Sequence, residues 1–335
     1  MQAADLTNIP FSVLDLATVA QGQTPADVFK NSVELAQHAE SLGYTRYWFA
    51  EHHNMISVAS SATVVLIGHI AGATSKIRVG SGGIMLPNHS PLIVAEQFGT
   101  LASLYPNRID LGLGRAPGTD QVTARAIRGA NFETIHSFPR DVRMLQQLFS
   151  SDNSSNEVRA IPGEGLDIPI WILGSSLDSA KLAAEMGLPY AFASHFAPAY
   201  FQSAIKLYRE QFKPSRYLSE PYVLACVNVV AADTDEDADY LATSIQQFFM
   251  GVVTGKRTLL PPPVENMHNI WSIYEEAAVK EMLRYSFIGG PETIKNDLST
   301  FISEYKVDEV MATSHIFSHK AKMQSYELFS KVFSS

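Results

Sequence analysis

The chain has 335 residues, 46% of them hydrophobic and 18% charged, with 25 basic against 34 acidic side chains and a net charge of −9. That composition supplies a large core and argues against long disordered tracts. The acidic balance, with no basic run, argues against nucleic acid or an anionic membrane as the main partner.

The single cysteine, Cys226, excludes an internal disulfide or a cysteine-built metal cluster, and its place in the apolar run Val223 to Val230 reads as a buried small hydrophobe. The opening residues MQAADLTNIPFSVLDL lack a basic segment followed by a long apolar one, and no apolar run reaches the ~18 residues of a membrane span. A cytoplasmic protein, with no nucleic-acid or membrane partner, is the expectation.

Strand-like apolar runs alternate with helical stretches along the chain. The first strand is read at 9–16. Thr24 then caps a helix with Pro25 at its first position, an apolar face including Val28, Leu35, Ala36 and Ala39, and Gly43 at its end. The second strand spans 45–50, followed by a buried helix over 60–74, a third strand at 76–85 and a helix at 92–104. A fourth strand at 108–113 leads into a polar, helix-rich stretch from 121 to 149. Ser150 to Asn156 reads as a surface loop, because the same rhythm continues beyond it. Strands at 169–173 and 189–193 alternate with helices at 177–186 and 199–212. A seventh strand at 222–231 precedes a longer region with helices at 235–250 and 271–285, joined by a stiff LLPPPV connector. A helix at 292–305, a strand at 308–313 and an amphipathic end from about Lys320 complete the chain.

Eight strand–helix units predict parallel strands with right-handed crossovers. The length fits one α/β domain over 1–335, a (β/α)8 TIM barrel with an insertion after strand seven. An open doubly wound sheet would want a phosphate fingerprint after the first strand, and VLDLATVAQGQ holds none.

In such a barrel the C-terminal strand ends carry the chemistry. The second strand ends in the cluster Glu51-His52-His53 of YTRYWFAEHHN, where alternation lets only one histidine face a common ligand. Further strand ends carry Gly80-Ser81-Gly82-Gly83, the glycine-rich run from Gly112 to Gly118 with Arg115, Gly174-Ser175-Ser176, and Ser194-His195. The glycines imply close approach of the backbone to something flat or anionic. Gly174-Ser175-Ser176 before a helix suits either an N-cap or a phosphate. Arg115 supplies the charge a phosphate wants, against the plainer reading of a surface ion pair. His89, His195 and His315 can be drawn as a three-histidine site, but no metal-ligand spacing supports it and no metal is expected.

The motifs WFAEHHN, VGSGGIMLPNHSPLIVAEQFGTLASLYPNRIDLGLGRAPG and ILGSS…AKLAAEMGLPYAFASHF together resemble the bacterial luciferase-like flavin monooxygenases, from Pro10 to about Phe329. The resemblance implies FMN at the barrel mouth, reduced by a separate flavin reductase. Reduced flavin and O2 would then oxidise a small organic substrate. It implies His52 as the catalytic acid/base, Gly82-Gly83 as a non-proline cis peptide beneath the flavin ring, and Arg115, Gly174, Ser175 and Ser176 around the phosphate. It also implies a homodimer. Gly114 stands where luciferase has a reactive cysteine and Gly174 where it has a carboxylate, so the chain looks closest to the non-luminescent branch. Two further readings stay open on the same fold: an F420-dependent oxidoreductase and a non-catalytic flavin-binding protein.

Overall fold

A computed structural model describes residues 4–129 and 137–334. In chain order the strands are β1 (Phe11–Asp15), β2 (Arg46–Phe49), β3 (Arg78–Met85), β4 (Ile109–Gly114), β5 (Ile170–Gly174), β6 (Tyr190–Phe192), β7 (Val223–Ala231), β8 (Ser286–Gly289) and β9 (Glu309–Thr313). β1 to β6 pair successively, β6 pairs with β7, β7 with β9, and β9 with β1, all parallel. Eight strands therefore close a barrel, as the sequence predicts.

The helices are α1 (Pro25–Ser41), α2 (Thr63–Ala73), α3 (Pro91–Leu104), α4 (Gln121–Arg128), α5 (Phe138–Phe149), α6 (Leu177–Met186), α7 (Phe201–Gln211), α8 (Asp235–Thr254), α9 (Ile273–Met282), α10 (Pro291–Tyr305) and α11 (His319–Val332). α1 shows how local sequence sets an element. Thr24 and Asp27 form a reciprocal capping box, Pro25 sits at the first turn, and Val28, Leu35, Ala36 and Ala39 are buried. The predicted helical stretch from 121 to 149 is α4 and α5, with 130–136 outside the described residues. α11 packs along β7 and α10, on the barrel's side.

Three side chains of β2 explain why an unbroken apolar run is needed. Tyr47 and Phe49 point outward into the layer between barrel and helices, while Trp48 points inward to Leu14, Trp171, Leu224, Cys226 and Met311. Both faces are covered, so both must be apolar. Trp48 and Trp171 meet edge to face at 5.2 Å. Cys226 is buried in this inner layer, as its neighbours in sequence suggest.

The insertion after β7 corrects the sequence reading at one point. β8 lies outside the ring and pairs only with Asn228–Ala231 of β7. The sequence places no strand there; four residues running straight into a Gly-Gly-Pro helix start leave no periodicity to detect. α8 and α9 cover this extension through Ile245, Phe249 and Val279. The proline-rich connector is anchored rather than loose: Leu260 N donates to Val19 O, and Gln21 N to Leu260 O, each at 2.9 Å.

Candidate active site

The geometry begins with Glu51, the first residue past the buried end of β2. Its carboxylate is 1% exposed and accepts from His53 Nε2 at 2.8 Å, His89 Nε2 at 2.9 Å and the Met85 amide at 3.1 Å. Burial alone would raise its pKa. The hydrogen bonds from His53 and His89 outweigh that and hold the carboxyl at about 2. Glu51 is an ionised post that fixes two imidazoles by their Nε2 protons.

His52 turns the other way. Its Nδ1 lies 3.2 Å from the carbonyl oxygen of Gly118, which also accepts the His53 amide at 3.1 Å. A carbonyl can only accept, so Nδ1 carries the proton and Nε2 is the nitrogen free for a ligand. Gly118 has φ +66, and a side chain there would meet Glu51 O at 2.7 Å; only glycine brings this loop so close. Burial pushes the His52 pKa below its usual range, and the charge of Arg257 pushes the same way. His52 is a neutral imidazole at pH 7.

It faces a cavity of about 160 Å³ whose walls include Leu16, Met55, Val58, Phe248, Phe249 and Met282. Two more imidazoles line it, His195 after β6 and His315 after β9. His315 stacks on Phe248 at 4.7 Å and places Nδ1 3.3 Å from Thr18 Oγ1. His195 has a buried Nδ1 without a partner among the described residues. Burial pushes both down to about 3; protonating His195 would also be opposed by charge on His315 or His52, while Lys322 lowers His315 further against a smaller opposing effect of Asp15.

Acid stability follows from this pair. Both folded pKa values lie below the unfolded value of about 6.5, so between about 6.5 and 3 the unfolded state binds more protons. Stability therefore falls as pH drops through that window, by up to about 1.4 kcal/mol per pH unit for each histidine. Denaturant midpoints measured between pH 7 and 4 should show the slope, and His195→Gln should make it shallower. An unchanged slope in that variant would assign the acid sensitivity elsewhere.

The remaining predicted site residues sit on the adjoining strands. The Gly82–Gly83 peptide is cis. A side chain at Gly82 would run into Leu14 Cδ1 at 2.7 Å, and one at Gly83 into Gly112 O at 2.7 Å. The β4 backbone thus leaves no room for a side chain at Gly83, while the nearest atom is the end of the Leu14 side chain at Gly82 and Ser179 Oγ at Gly174. Ser176 is the N-cap of α6, in a reciprocal pair with Ser179, and Ser175 precedes it half-buried. Arg115 reaches across from β4 to the same helix end, with Nη1 3.2 Å from Asp178 Oδ2. Arg115 is thus in a surface ion pair, the plainer of its two predicted readings, and that pair sits at a helix N-terminus.

β2, β3, β4 and β5 are consecutive in the barrel, so His52, Gly82, Gly83, Arg115, Gly174, Ser175 and Ser176 share one arc of the C-terminal rim. The three-histidine site does not assemble. His89 is held on Glu51, away from His195 and His315, and no group of side chains suited to a metal ion occurs among the described residues. The sequence singled out His195 but gave no hint of Phe248, Phe249 or Arg257, which the insertion delivers to the cavity.

The family described as luciferase-like monooxygenase matches residues 9–296. A luciferase-like monooxygenase of Escherichia coli K12 is 50% identical over 96% of each chain. The N-acetyl-S-alkylcysteine monooxygenase of Bacillus subtilis is 30% identical over 96% of this chain and 97% of that one. Among solved structures, apo-MsnO8 superposes with a TM-score of 0.88 at 34% identity, covering 97% and 98%. More distant structures share the fold alone: the oxygenating constituent of 3,6-diketocamphane monooxygenase in complex with FMN, TM-score 0.73 at 16% identity, and an F420-dependent secondary alcohol dehydrogenase, 0.69 at 14%.

Proposed function

This chain belongs to the luciferase-like monooxygenase family, and on that premise we propose that it is an FMN-dependent monooxygenase that oxidises a small, partly apolar organic molecule with O2. The observation that carries the reading is the meeting of Arg115 with the N-terminus of α6, on the same rim as a neutral His52 facing an apolar cavity. Free amides at a helix start, two serine hydroxyls and a half-exposed guanidinium suit a phosphate monoester. When bound, reduced FMN supplies the electrons that activate oxygen. We assign its reduction to a separate reductase and its place to the cytoplasm.

The chain's own residues then have distinct tasks. Arg115 and the α6 amides hold the phosphate and fix the cofactor's register. The apolar walls around His52 exclude water from the reacting centre. His52 Nε2, with Nδ1 tied to Gly118, accepts a proton from a reacting oxygen and returns it as the product leaves. The relative named for N-acetyl-S-alkylcysteine makes thioethers a class to test beside aldehydes and ketones.

The deciding experiment supplies 18O2 and enzymatically reduced FMN to the protein with a panel of aldehydes, ketones and thioethers. One labelled oxygen in a product, dependent on an added flavin reductase, is expected. Tight binding of F420 with weak binding of FMN, and no label incorporated, would transfer the protein to the oxidoreductase reading.

The phosphate assignment has its own check. Arg115→Gln should weaken FMN about tenfold or more while leaving riboflavin unchanged, since a hydrogen bond to a charged group contributes roughly 1.5–3 kcal/mol. Asp178→Asn removes a carboxylate that competes for Arg115. It should tighten FMN about two- to fivefold, the range of an exposed ion pair of up to about 1 kcal/mol. Fluorescence titration with FMN and riboflavin reads both.

A further inference from the structure

Arg257 stands apart from the other residues of the cavity. It lies on the turn between α8 and the proline-rich connector, exposed, and it lines the same cavity as His52. Every other lining side chain is neutral at pH 7: the walls are largely aliphatic, aromatic and thioether groups, with Ser57 and Thr258 as hydroxyls and the three histidines held uncharged. No carboxylate among the lining residues answers the guanidinium, and among the described residues none lies within ion-pair distance of it. Two other arginines near this end of the barrel do not line the cavity: Arg115 pairs with Asp178, and Arg128 is buried with Nε on Asn88 Oδ1 and both Nη atoms without a partner among the described residues. An apolar chamber with one unanswered positive charge at its rim is complementary to one kind of molecule.

We propose that the substrate is an amphipathic organic acid, with its apolar body in the chamber beside His52 and a single oxyanion head, carboxylate or sulfonate, on the guanidinium of Arg257. The planar guanidinium offers paired N–H groups to two oxygens of such a head. The chamber walls take the hydrocarbon part without requiring polar partners. The head then sets how deep the body enters, and so which atom comes to rest near His52 Nε2. Leu260, three residues further on, is tied by two backbone hydrogen bonds to the turn after β1, which keeps the Arg257 backbone near the rim. The overall charge of −9 would repel an acid from most of the surface, so the local charge at the mouth decides where it lands.

This inference deepens the monooxygenase reading and rests on it for the fate of the bound acid; the binding itself is measured without turnover. The FMN-loaded protein is titrated calorimetrically with 4-phenylbutanoate and 3-phenylpropanesulfonate, and with the uncharged 4-phenylbutanamide and the cationic 4-phenylbutylamine as controls. The acids should bind at least tenfold tighter than the amide, and the amine weakest. Arg257→Gln should abolish that preference by weakening the acids about 10- to 100-fold without changing the amide, and Arg257→Lys should restore part of it. FMN affinity, titrated separately on each variant, should stay level; a fall matching that of Arg115→Gln would mean the guanidinium serves the cofactor and would overturn the proposal. Equal binding of acid and amide to the unaltered protein would overturn it too. Acid preference in a protein that incorporates no oxygen would uphold the anion site and sink only the reaction assigned above.

Discussion

Replacing His52 with alanine should lower turnover about 10²- to 10⁴-fold, the usual contribution of a positioned general acid/base, and leave FMN affinity within about twofold. The phosphate contacts proposed here lie on α6 and β4, whereas His52 follows β2 and meets the cavity. A His52→Gln variant keeps a hydrogen-bonding side chain but cannot cycle a proton near neutrality, so it should recover binding and little of the rate. The pH profile supplies the sharper reading. His52 acts as a base only when neutral, and burial lowers its pKa from the ordinary 6.5. Activity should therefore persist at pH values somewhat below 6.5 and fall only as the pH drops through the lowered pKa of His52. In the alanine variant that acid limb should vanish from the residual rate. A steady-state series across pH on both proteins makes the comparison, and an alanine variant with more than a tenth of the normal turnover would remove His52 from the mechanism.

How much of this could be read beforehand depends on whether an interaction is local in the chain. The barrel was legible because each strand had to be apolar on both faces and each helix on one, and those periods survive in the sequence. β8 was not, because four residues carry no period. At the rim, His52, Arg115 and Ser176 could be named since strand ends followed by turn residues are visible one at a time. Glu51 was noticed only as part of a cluster; that it binds His53 and His89 together depends on a 38-residue separation no local pattern encodes. The atoms nearest a side chain at Gly82 and Gly83 belong to β1 and β4, contacts between strands that the glycine run itself does not announce. Arg257 was invisible for the same cause: it comes from an insertion whose position over the mouth is set by a two-bond tie to the turn after β1.

The opposite end of the barrel yields the second large effect, on folding. Arg46, Arg78, Asp110 and Glu309 open or nearly open their strands, so they meet at the N-terminal face. Asp110 is fully buried and accepts from Arg78 Nε at 2.9 Å, Arg46 Nη1 at 2.8 Å and Trp48 Nε1 at 3.1 Å. Arg46 also reaches Glu309 Oε1 at 3.0 Å and stacks over Trp171. Charges in this setting gain from each other about what they lose in desolvation, so the network's net contribution is small while it is whole. Breaking it is another matter. Asp110→Ala would leave the Arg46 guanidinium short of one partner, Arg78 short of its carboxylate and the Trp48 indole unpaired inside the barrel. Removing one member of a buried ionic group costs about 3–5 kcal/mol, a large part of a typical domain's stability of roughly 5–15 kcal/mol. Urea unfolding followed by tryptophan fluorescence should therefore show a much lower midpoint. Asp110→Asn, which keeps the shape and one acceptor, should lose less. The effect should be confined to stability: variants assayed well below their midpoint should keep their FMN affinity, because in a barrel of this kind the N-terminal face supports the fold while the C-terminal face carries the chemistry. A loss below about 1 kcal/mol in Asp110→Ala would mean that water enters this end and screens the charges.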